Sequence, residues 1–219
     1  LALWALGQPA WAEDGNPGSY LAAQAALTQH DFTGAADWYE QALRADPANP
    51  MLLEGAALAN LSLGRMDEAA ELAAEMTKTD KPGLVSFLTQ IDAGARKGDF
   101  DAVLATVKAD PGAGTLLVGL VTAWSELGRG RMSEALDAFD ALAKTRQLAN
   151  FALYHKALAL ASAGDFQSAD NILSGKAAGP ISMTRRGVVA HVQILSQMER
   201  NADALTLLDR AFGPGPMTG

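Results

Sequence analysis

The stretch Gly64-Arg65-Met66-Asp67-Glu68-Ala69-Ala70-Glu71-Leu72 decides the fold, because the chain contains five further versions of it. The position of Met66 is taken in the other versions by Phe32, Phe100, Met132, Phe166 and Asn201, so that successive copies lie 34, 34, 32, 34 and 35 residues apart. A unit of turn and helix that returns about every 34 residues is typical of stacked helical hairpins. The spacing predicts an all-α solenoid of about six helix-turn-helix repeats.

The composition of the chain fits such an array and excludes several classes of function. Hydrophobic residues make up 49% of the 219 residues, but aromatic residues only 6%, and the abundant alanine suits closely packed helices. The formal net charge of −8 argues against nucleic acid and anionic membranes as partners, because phosphate binding requires clustered Lys and Arg. A chain without cysteine has no disulfide, thiolate nucleophile or cysteine metal site.

The N-terminal residues 1–12 carry the features of an export signal peptide. An apolar run, Leu1 to Gly7, is followed by Ala10-Trp11-Ala12, which fits the small-x-small rule for signal peptidase. Twelve residues are too few to cross a bilayer, which needs about 20, so no integral membrane span is expected. This segment predicts a cleaved signal remnant, a mature chain that begins near Glu13, and a periplasmic or secreted protein. The alternative is a hydrophobic helix that covers the first repeat of a cytoplasmic protein.

Apolar periodicity predicts two helices in each repeat, with no strand pattern to compete. Ser19 and Thr33 are the expected N-caps of the first pair, and the sixth pair is expected to start at Ser182. The repeats run over about 16–49, 50–83, 84–114, 115–148, 149–181 and 182–212, and residues 213–219 form a linker or truncated end.

The last predicted helix has no following helix to cover it. Its uncovered apolar residues are expected to be Ala204, Leu205, Leu207, Leu208 and Phe212. An uncapped terminal repeat leaves apolar surface in water. We therefore expect either self-association through this end or a sequence that is a fragment, and the missing N-terminal start favours the fragment.

The repeats share a set of packing residues. In the first copy they are an aromatic in the turn, small and aromatic residues in the second helix, and a closing proline: Phe32, Ala35, Tyr39, Ala42, Leu43 and Pro47. In the second copy Met66, Ala69 and Met76 correspond to Phe32, Ala35 and Ala42, and the copy also carries Ala57 and Gly64. The small residue recurs as Ala135, Ala169 and Ala204 but is Val103 in the third copy.

This set of residues resembles the tetratricopeptide repeat (TPR) family over about residues 16–212. The first-helix residues that usually mark the family are eroded, with Ser19, Ala22, Ala23 and Ala26 in the first copy. The resemblance implies a right-handed α-solenoid and a protein that binds other proteins. Together with the N-terminal segment, it indicates an exported protein of bacterial type.

The resemblance also implies a binding surface, because the first helix of each TPR hairpin lines a concave groove. We expect this groove to hold an extended peptide or a partner helix. The residues placed there are Tyr20, Gln24, Glu54, Leu58, Leu88, Asp92, Arg96, Val118, Thr122, Tyr154, Leu158, Val189 and Gln193. Tyr20 and Gln24 stand where the Lys and Asn of the family's carboxylate clamp would be, so no clamp for chaperone tails is expected.

No pattern in the sequence predicts catalysis, a cofactor or a metal. His30, His155 and His191 belong to three different repeats and lack metal-ligand spacing, so each is interpreted as a turn or packing residue. The acidic residues Asp67, Glu68, Glu71 and Glu75 form an exposed face that we interpret as a contribution to solubility.

Three functional hypotheses follow from the sequence. The leading one is a non-catalytic protein-protein interaction scaffold in an exported protein, with a place in cell-envelope assembly. The second is the docking or regulatory region of a larger protein whose activity lies beyond residue 219. The third is a structural module that self-associates through its last helix.

Overall fold

The computed structural model describes residues 17–78, 83–109 and 113–213, and within these ranges the regular structure consists of twelve α-helices with no β-strand. The all-α prediction of paired helices is confirmed. The predicted export segment 1–12 and residues 214–219 lie outside the described residues. The helices are α1 Pro17–Thr28, α2 Phe32–Ala45, α3 Pro50–Ser62, α4 Met66–Met76, α5 Leu84–Lys97, α6 Phe100–Ala109, α7 Thr115–Gly128, α8 Met132–Ala143, α9 Ala149–Ser162, α10 Phe166–Leu173, α11 Arg185–Gln197 and α12 Asn201–Phe212.

The chain forms two compact units, which meet in the sequence between Ala102 and Val103. In unit 1, each helix from α1 to α5 packs on the next one along the chain, and α3 also contacts α5. In unit 2, the same nearest-neighbour packing runs from α7 to α12, and α9 contacts both α7 and α11. Each helix is too short to bury its apolar face alone and does so against its neighbours. Across the described ranges, no helix is both long and apolar enough to cross a membrane.

The turn inside each hairpin has the same backbone geometry in all six copies. Its first residue has a positive φ, which glycine adopts without strain. Four copies have glycine there, whereas the first and the sixth have His30 (φ 59°) and Glu199 (φ 60°). The following residue donates its backbone N–H to the carbonyl five residues earlier, at 2.9–3.0 Å in every copy. This bond is the signature of the Schellman motif, so the recurring stretch is a helix terminus joined to a helix start.

The second helix of each hairpin is anchored by its small residue. Tyr39 and Phe139 stand four residues after this position in units 1 and 2, and both are fully buried. An alanine lets the neighbouring helix approach closely, and the aromatic then fills the space beside it. The small residue is buried in every copy, as Ala35, Ala69, Val103, Ala135, Ala169 and Ala204.

Two predicted N-caps and one helix start are wrong. α1 begins at Pro17, so Ser19 lies inside the helix, where it is buried. Asp31 caps α2 in place of Thr33, and its carboxylate accepts a hydrogen bond from the Gly34 N–H. α11 begins at Arg185 instead of Ser182, with the Thr184 hydroxyl accepting from the Gly187 N–H. Ser and Thr are common N-caps, but at α2 the turn residue Asp31 is already positioned to accept from a free N–H group.

The last helix is more covered than the sequence predicted. Ala204 is buried against α11, because it is the small residue of that hairpin. Leu207, Leu208 and Phe212 are half-buried, and the Arg185 guanidinium stacks 5.2 Å from the Phe212 ring centroid. Leu205 alone of the five predicted residues is a large exposed side chain, at 62%.

Candidate partner-binding surface

All thirteen residues predicted for binding lie on first helices. Unit 1 carries seven of them, on α1, α3 and α5, and unit 2 carries six, on α7, α9 and α11. Their environments differ, because some side chains are taken up by packing and others face solvent. We therefore describe the two units separately.

In unit 1, Tyr20 and Gln24 form a hydrogen-bonded group with the buried Tyr39 of α2. The Gln24 amide donates to the Tyr39 hydroxyl at 2.8 Å and lies 3.4 Å from the Tyr20 hydroxyl. The two tyrosine rings meet edge to face, with centroids 6.5 Å apart. Burial, with a smaller contribution from Tyr20, raises the pKa of Tyr39. This phenol therefore stays neutral. Tyr20 and Gln24 contact the buried Tyr39 and are also part of the surface.

The apolar part of the unit 1 surface is formed by Leu58 on α3 and Leu88 on α5. These side chains are 44% and 40% exposed, although both are large and hydrophobic. Since α3 and α5 contact each other, the two leucines lie on adjacent first helices. Glu54, one turn before Leu58, is half-buried near the backbone of Gly83.

Asp92 and Arg96 form the charged end of α5. The Arg96 guanidinium bonds the Asp92 carboxylate at 2.9 Å and reaches the Asp67 carboxylate of α4 at 3.3 Å. Arg96 therefore links the end of α5 to the start of α4. All three side chains are well exposed, so these ion pairs contribute little to stability.

In unit 2, only part of the predicted set is available to a partner. The Thr122 hydroxyl donates to the Val118 carbonyl of its own helix at 2.8 Å. Tyr154 is half-buried and packs against the core between α9, α10 and α11. Val118 and Leu158 are half-buried. The exposed members are on α11, where Val189 and Gln193 lie about one turn apart.

The sequence prediction missed four exposed apolar residues on the first helices. Three of them extend a predicted face by one turn, since Met51 is three residues before Glu54, Leu84 four before Leu88 and Phe151 three before Tyr154. The fourth is Leu21 on α1. Of the nine large hydrophobic side chains that are exposed among the described residues, seven lie on first helices. These seven are Leu21, Met51, Leu58, Leu84, Leu88, Phe151 and Val189.

A histidine–tryptophan pair joins α7 to α9 in unit 2. The Trp124 indole N–H donates to His155 Nδ1 at 3.1 Å, and the Trp124 ring also meets the buried Phe139 edge to face. Burial lowers the pKa of His155. The imidazole is therefore neutral, with its proton on Nε2, and it acts as a packing residue as the sequence indicated.

A buried carboxylate joins the last three helices. Asp170 on α10 is 1% exposed, and its two oxygens lie 2.7 Å from His191 Nε2 on α11 and 2.7 Å from the Arg200 guanidinium before α12. Burial by itself would raise the pKa of Asp170, but the hydrogen bonds from His191 and Arg200 outweigh it and lower the pKa. Ionised Asp170 therefore holds α10, α11 and the following turn together.

The surface is suited to binding through contact and hydrogen bonds. Among the residues that the structure describes, no group of three or more His, Cys, Asp or Glu side chains could hold a metal ion. The first helices offer exposed leucine, methionine and phenylalanine beside amide and carboxylate groups. Such a mixture suits a protein segment.

The chain consists of hairpins of two short helices, joined by a turn of the same backbone geometry, and each helix packs on the helices next to it in sequence. These features define a helical-repeat scaffold. The model of the family described as Tetratricopeptide repeat matches residues 20–84 and 120–169, which together are just over half of the chain. The chain belongs to the TPR family. Its repeats form a protein-protein interaction scaffold of the kind that this family builds.

Solved structures of TPR proteins have a similar fold. A tetratricopeptide repeat protein from Parabacteroides merdae has a TM-score of 0.71 and 14% identity, over 92% of this chain and 80% of that chain. PilW, described as a widely conserved type IV pilus biogenesis factor, has a TM-score of 0.65 and 18% identity, over 91% and 96%. MamA has a TM-score of 0.58 and 13% identity, over 92% and 97%. At these identities the likeness shows the fold alone, and no curated protein matches the chain.

Proposed function

We propose that the protein binds a partner protein segment through the exposed apolar side chains of its first helices. The observation that carries this proposal is the uneven distribution of exposed hydrophobic residues between first and second helices. Single exposed leucines are ordinary, but a repeated bias toward one helix of each hairpin is typical of an interaction surface.

Unit 1 offers the strongest part of this surface. Met51 and Leu58 lie two turns apart on α3, and Leu84 and Leu88 lie one turn apart on α5. A helix or an extended segment that contacts both helices would remove these four side chains from water. Burial of such side chains is the main favourable contribution to association. The predicted residues Leu58 and Leu88 are therefore the best anchors, and Tyr20 and Gln24 supply hydrogen-bonding groups on α1.

The proposal is tested by affinity capture of partners from an extract of the source cells. Leu58→Asp combined with Leu88→Asp places charge on the surface and should abolish capture of a partner that the wild-type protein retains. Leu205→Asp is the matched control, since Leu205 is an exposed leucine on a second helix, and this variant should retain the partner. Circular dichroism establishes that all three proteins are folded. Retention of the same partner by the double variant would refute the proposal.

We also propose export from the cytoplasm, which would make this scaffold periplasmic or secreted, with a place in cell-envelope assembly. The support is the sequence Ala10-Trp11-Ala12 after an apolar run. Expression of the natural reading frame in its host, followed by N-terminal sequencing, should give a mature chain that starts at Glu13. An uncleaved cytoplasmic product would contradict export without affecting the binding proposal.

A second copy of the chain is the alternative partner, because Leu205 on α12 is exposed. Light scattering over a range of concentrations should then show a dimer that Leu205→Asp converts to a monomer. A wild-type monomer at every concentration would exclude this alternative.

A further inference from the structure

A groove separates the second helices of the first two hairpins in unit 1. α2 and α4 each pack on α3, and the space between them is a furrow of about 700 Å³, named here the α2–α4 groove. Leu43 of α2, Ala56 of α3 and Leu72 of α4 contribute its apolar lining. None of the thirteen residues predicted for binding lines this groove, so it is separate from the first-helix surface.

Carboxylates line both walls of the α2–α4 groove. Asp37 and Glu40 come from α2, and Glu68, Glu71 and Glu75 come from α4. On each wall they are three or four residues apart, so they recur once per turn, about every 5.4 Å along the helix. Among the described residues that line the groove, Arg65 is the one cationic side chain.

Three of these five carboxylates have no ion-pair partner among the described residues. Glu40 pairs with Arg44 at 2.9 Å and Glu75 with Lys78 at 2.6 Å, both at the exposed rim. Asp37, Glu68 and Glu71 form no ion pair within the part of the chain that the structure describes. A contribution to solubility accounts for acidic residues on a surface, but not for their alignment along both sides of an apolar furrow.

We propose that the α2–α4 groove binds a cationic amphipathic helix from a partner protein. Such a helix presents Lys and Arg at i, i+3 and i+4, which is the spacing of the carboxylates on the walls. The apolar residues between its cationic flanks would cover the leucine and alanine side chains of the lining. The lining of α2 runs from Ala36 to Leu43, about 10 Å, which is the length of two helical turns.

This occupant fits better than a simple cation. A polyamine or a metal ion would neutralise the carboxylates but leave the apolar lining in water. A neutral or acidic helix would cover the lining but leave the carboxylates uncompensated or repelled. Only a partner with both properties satisfies the groove.

The test uses the full chain and a fluorescent synthetic peptide of about 18 residues, long enough to form a helix, with Lys on its flanks and Leu and Ala between them. Fluorescence anisotropy measures its Kd. Asp37→Asn combined with Glu68→Gln should raise the Kd about three- to tenfold, as expected for two lost surface ion pairs. An unchanged Kd for this double variant would overturn the proposal.

The matched control is Asp137→Asn combined with Glu134→Gln on α8. Asp137 is two residues after Ala135, as Asp37 is after Ala35, and Glu134 is one residue before Ala135, as Glu68 is before Ala69. The control substitutions therefore remove the same charge from matching positions. The control should leave the Kd unchanged. An equal loss of affinity in the control would overturn the proposal, because the peptide would then respond to net charge alone.

Two further measurements separate this groove from simpler explanations. Binding should weaken as salt is added and should resist competition by spermine, which carries charge without an apolar face. Displacement by spermine at the peptide's own concentration would overturn the proposal. Leu58→Asp combined with Leu88→Asp should leave peptide binding intact, and a loss in that variant would assign the peptide to the first-helix surface instead.

Discussion

Asp170 provides the most demanding test of how the last hairpin is held. The substitution Asp170→Ala removes the acceptor of two hydrogen bonds of 2.7 Å, from His191 and Arg200. His191 is 5% exposed, and its Nδ1 has no hydrogen-bond partner in the part of the chain that the structure describes, so the variant would leave both ring nitrogens unpaired in the core.

The expected loss follows from these contacts. A buried polar group without a partner costs about 1–3 kcal/mol, and a lost hydrogen bond to a charged group costs about 1.5–3 kcal/mol. We count nothing for Arg200, which is solvated. Both figures describe the same loss at His191 Nε2, so they are not added, and the upper value of about 3 kcal/mol corresponds to about a hundredfold in the equilibrium for local opening. In a repeat array this loss is expected to stay near the affected helices.

Hydrogen exchange followed by mass spectrometry measures this opening helix by helix. Amides of α11 and α12 should exchange about a hundredfold faster in Asp170→Ala, whereas those of α2 and α3 should be unchanged. Asp165→Ala is the control on the same helix, since this exposed N-cap accepts hydrogen bonds from Ser168 alone among the described residues and is worth about 1 kcal/mol. Exchange in Asp170→Ala within threefold of the wild type, or no faster than in Asp165→Ala, would refute the reasoning.

Three further predictions concern single positions. Glu199→Gly should raise the free energy of unfolding by about 0.5–1 kcal/mol in urea titrations, because glycine adopts the positive φ of this turn without strain. The control Ser196→Gly inside α11 should lower the free energy of unfolding. Gly55→Ala should destabilise by about 1–3 kcal/mol, since the new Cβ would overlap the buried Tyr39 ring; stabilisation, as expected for alanine in an open helix, would contradict this packing. Because burial lowers the pKa of His155, the imidazole takes up a proton at a higher pH in the unfolded chain than in the folded chain. The free energy of unfolding should therefore fall as the pH drops below about 6.5, by at most about 1.4 kcal/mol per pH unit. Urea midpoints at several pH values should show that His155→Gln lacks this part of the pH dependence, and identical slopes for both proteins would be inconsistent with a neutral buried imidazole.

The sequence predicted the helices well because one local motif specifies each hairpin. A few residues encode the positive φ, the Schellman bond and the start of the second helix, as at Gly64-Arg65-Met66. That helix starts at Phe or Met in five hairpins and at Asn201 in the sixth. Starts of first helices were less predictable. They follow loops without a repeated motif, and the α11 start moved from Ser182 to Arg185 for that reason.

The surface was predicted only in part, since periodicity gives the face of a helix but not how far its neighbours cover it. Leu58 and Leu88 are exposed, whereas Tyr154 packs against the core formed by α9, α10 and α11. The contacts of Asp170 with residues 21 and 30 positions away could not be inferred from spacing. Such contacts depend on the packing of α11 against α10, which no local pattern encodes.

Site-specific photo-crosslinking tests the central claim, that the first helices bind the partner, most directly. A photoreactive phenylalanine analogue replaces Leu58, Leu88 or Leu205 in turn, and each protein is irradiated with the partner recovered by affinity capture. The account predicts crosslinks from positions 58 and 88 and none from position 205. Crosslinks from position 205 with none from 58 or 88 would contradict it.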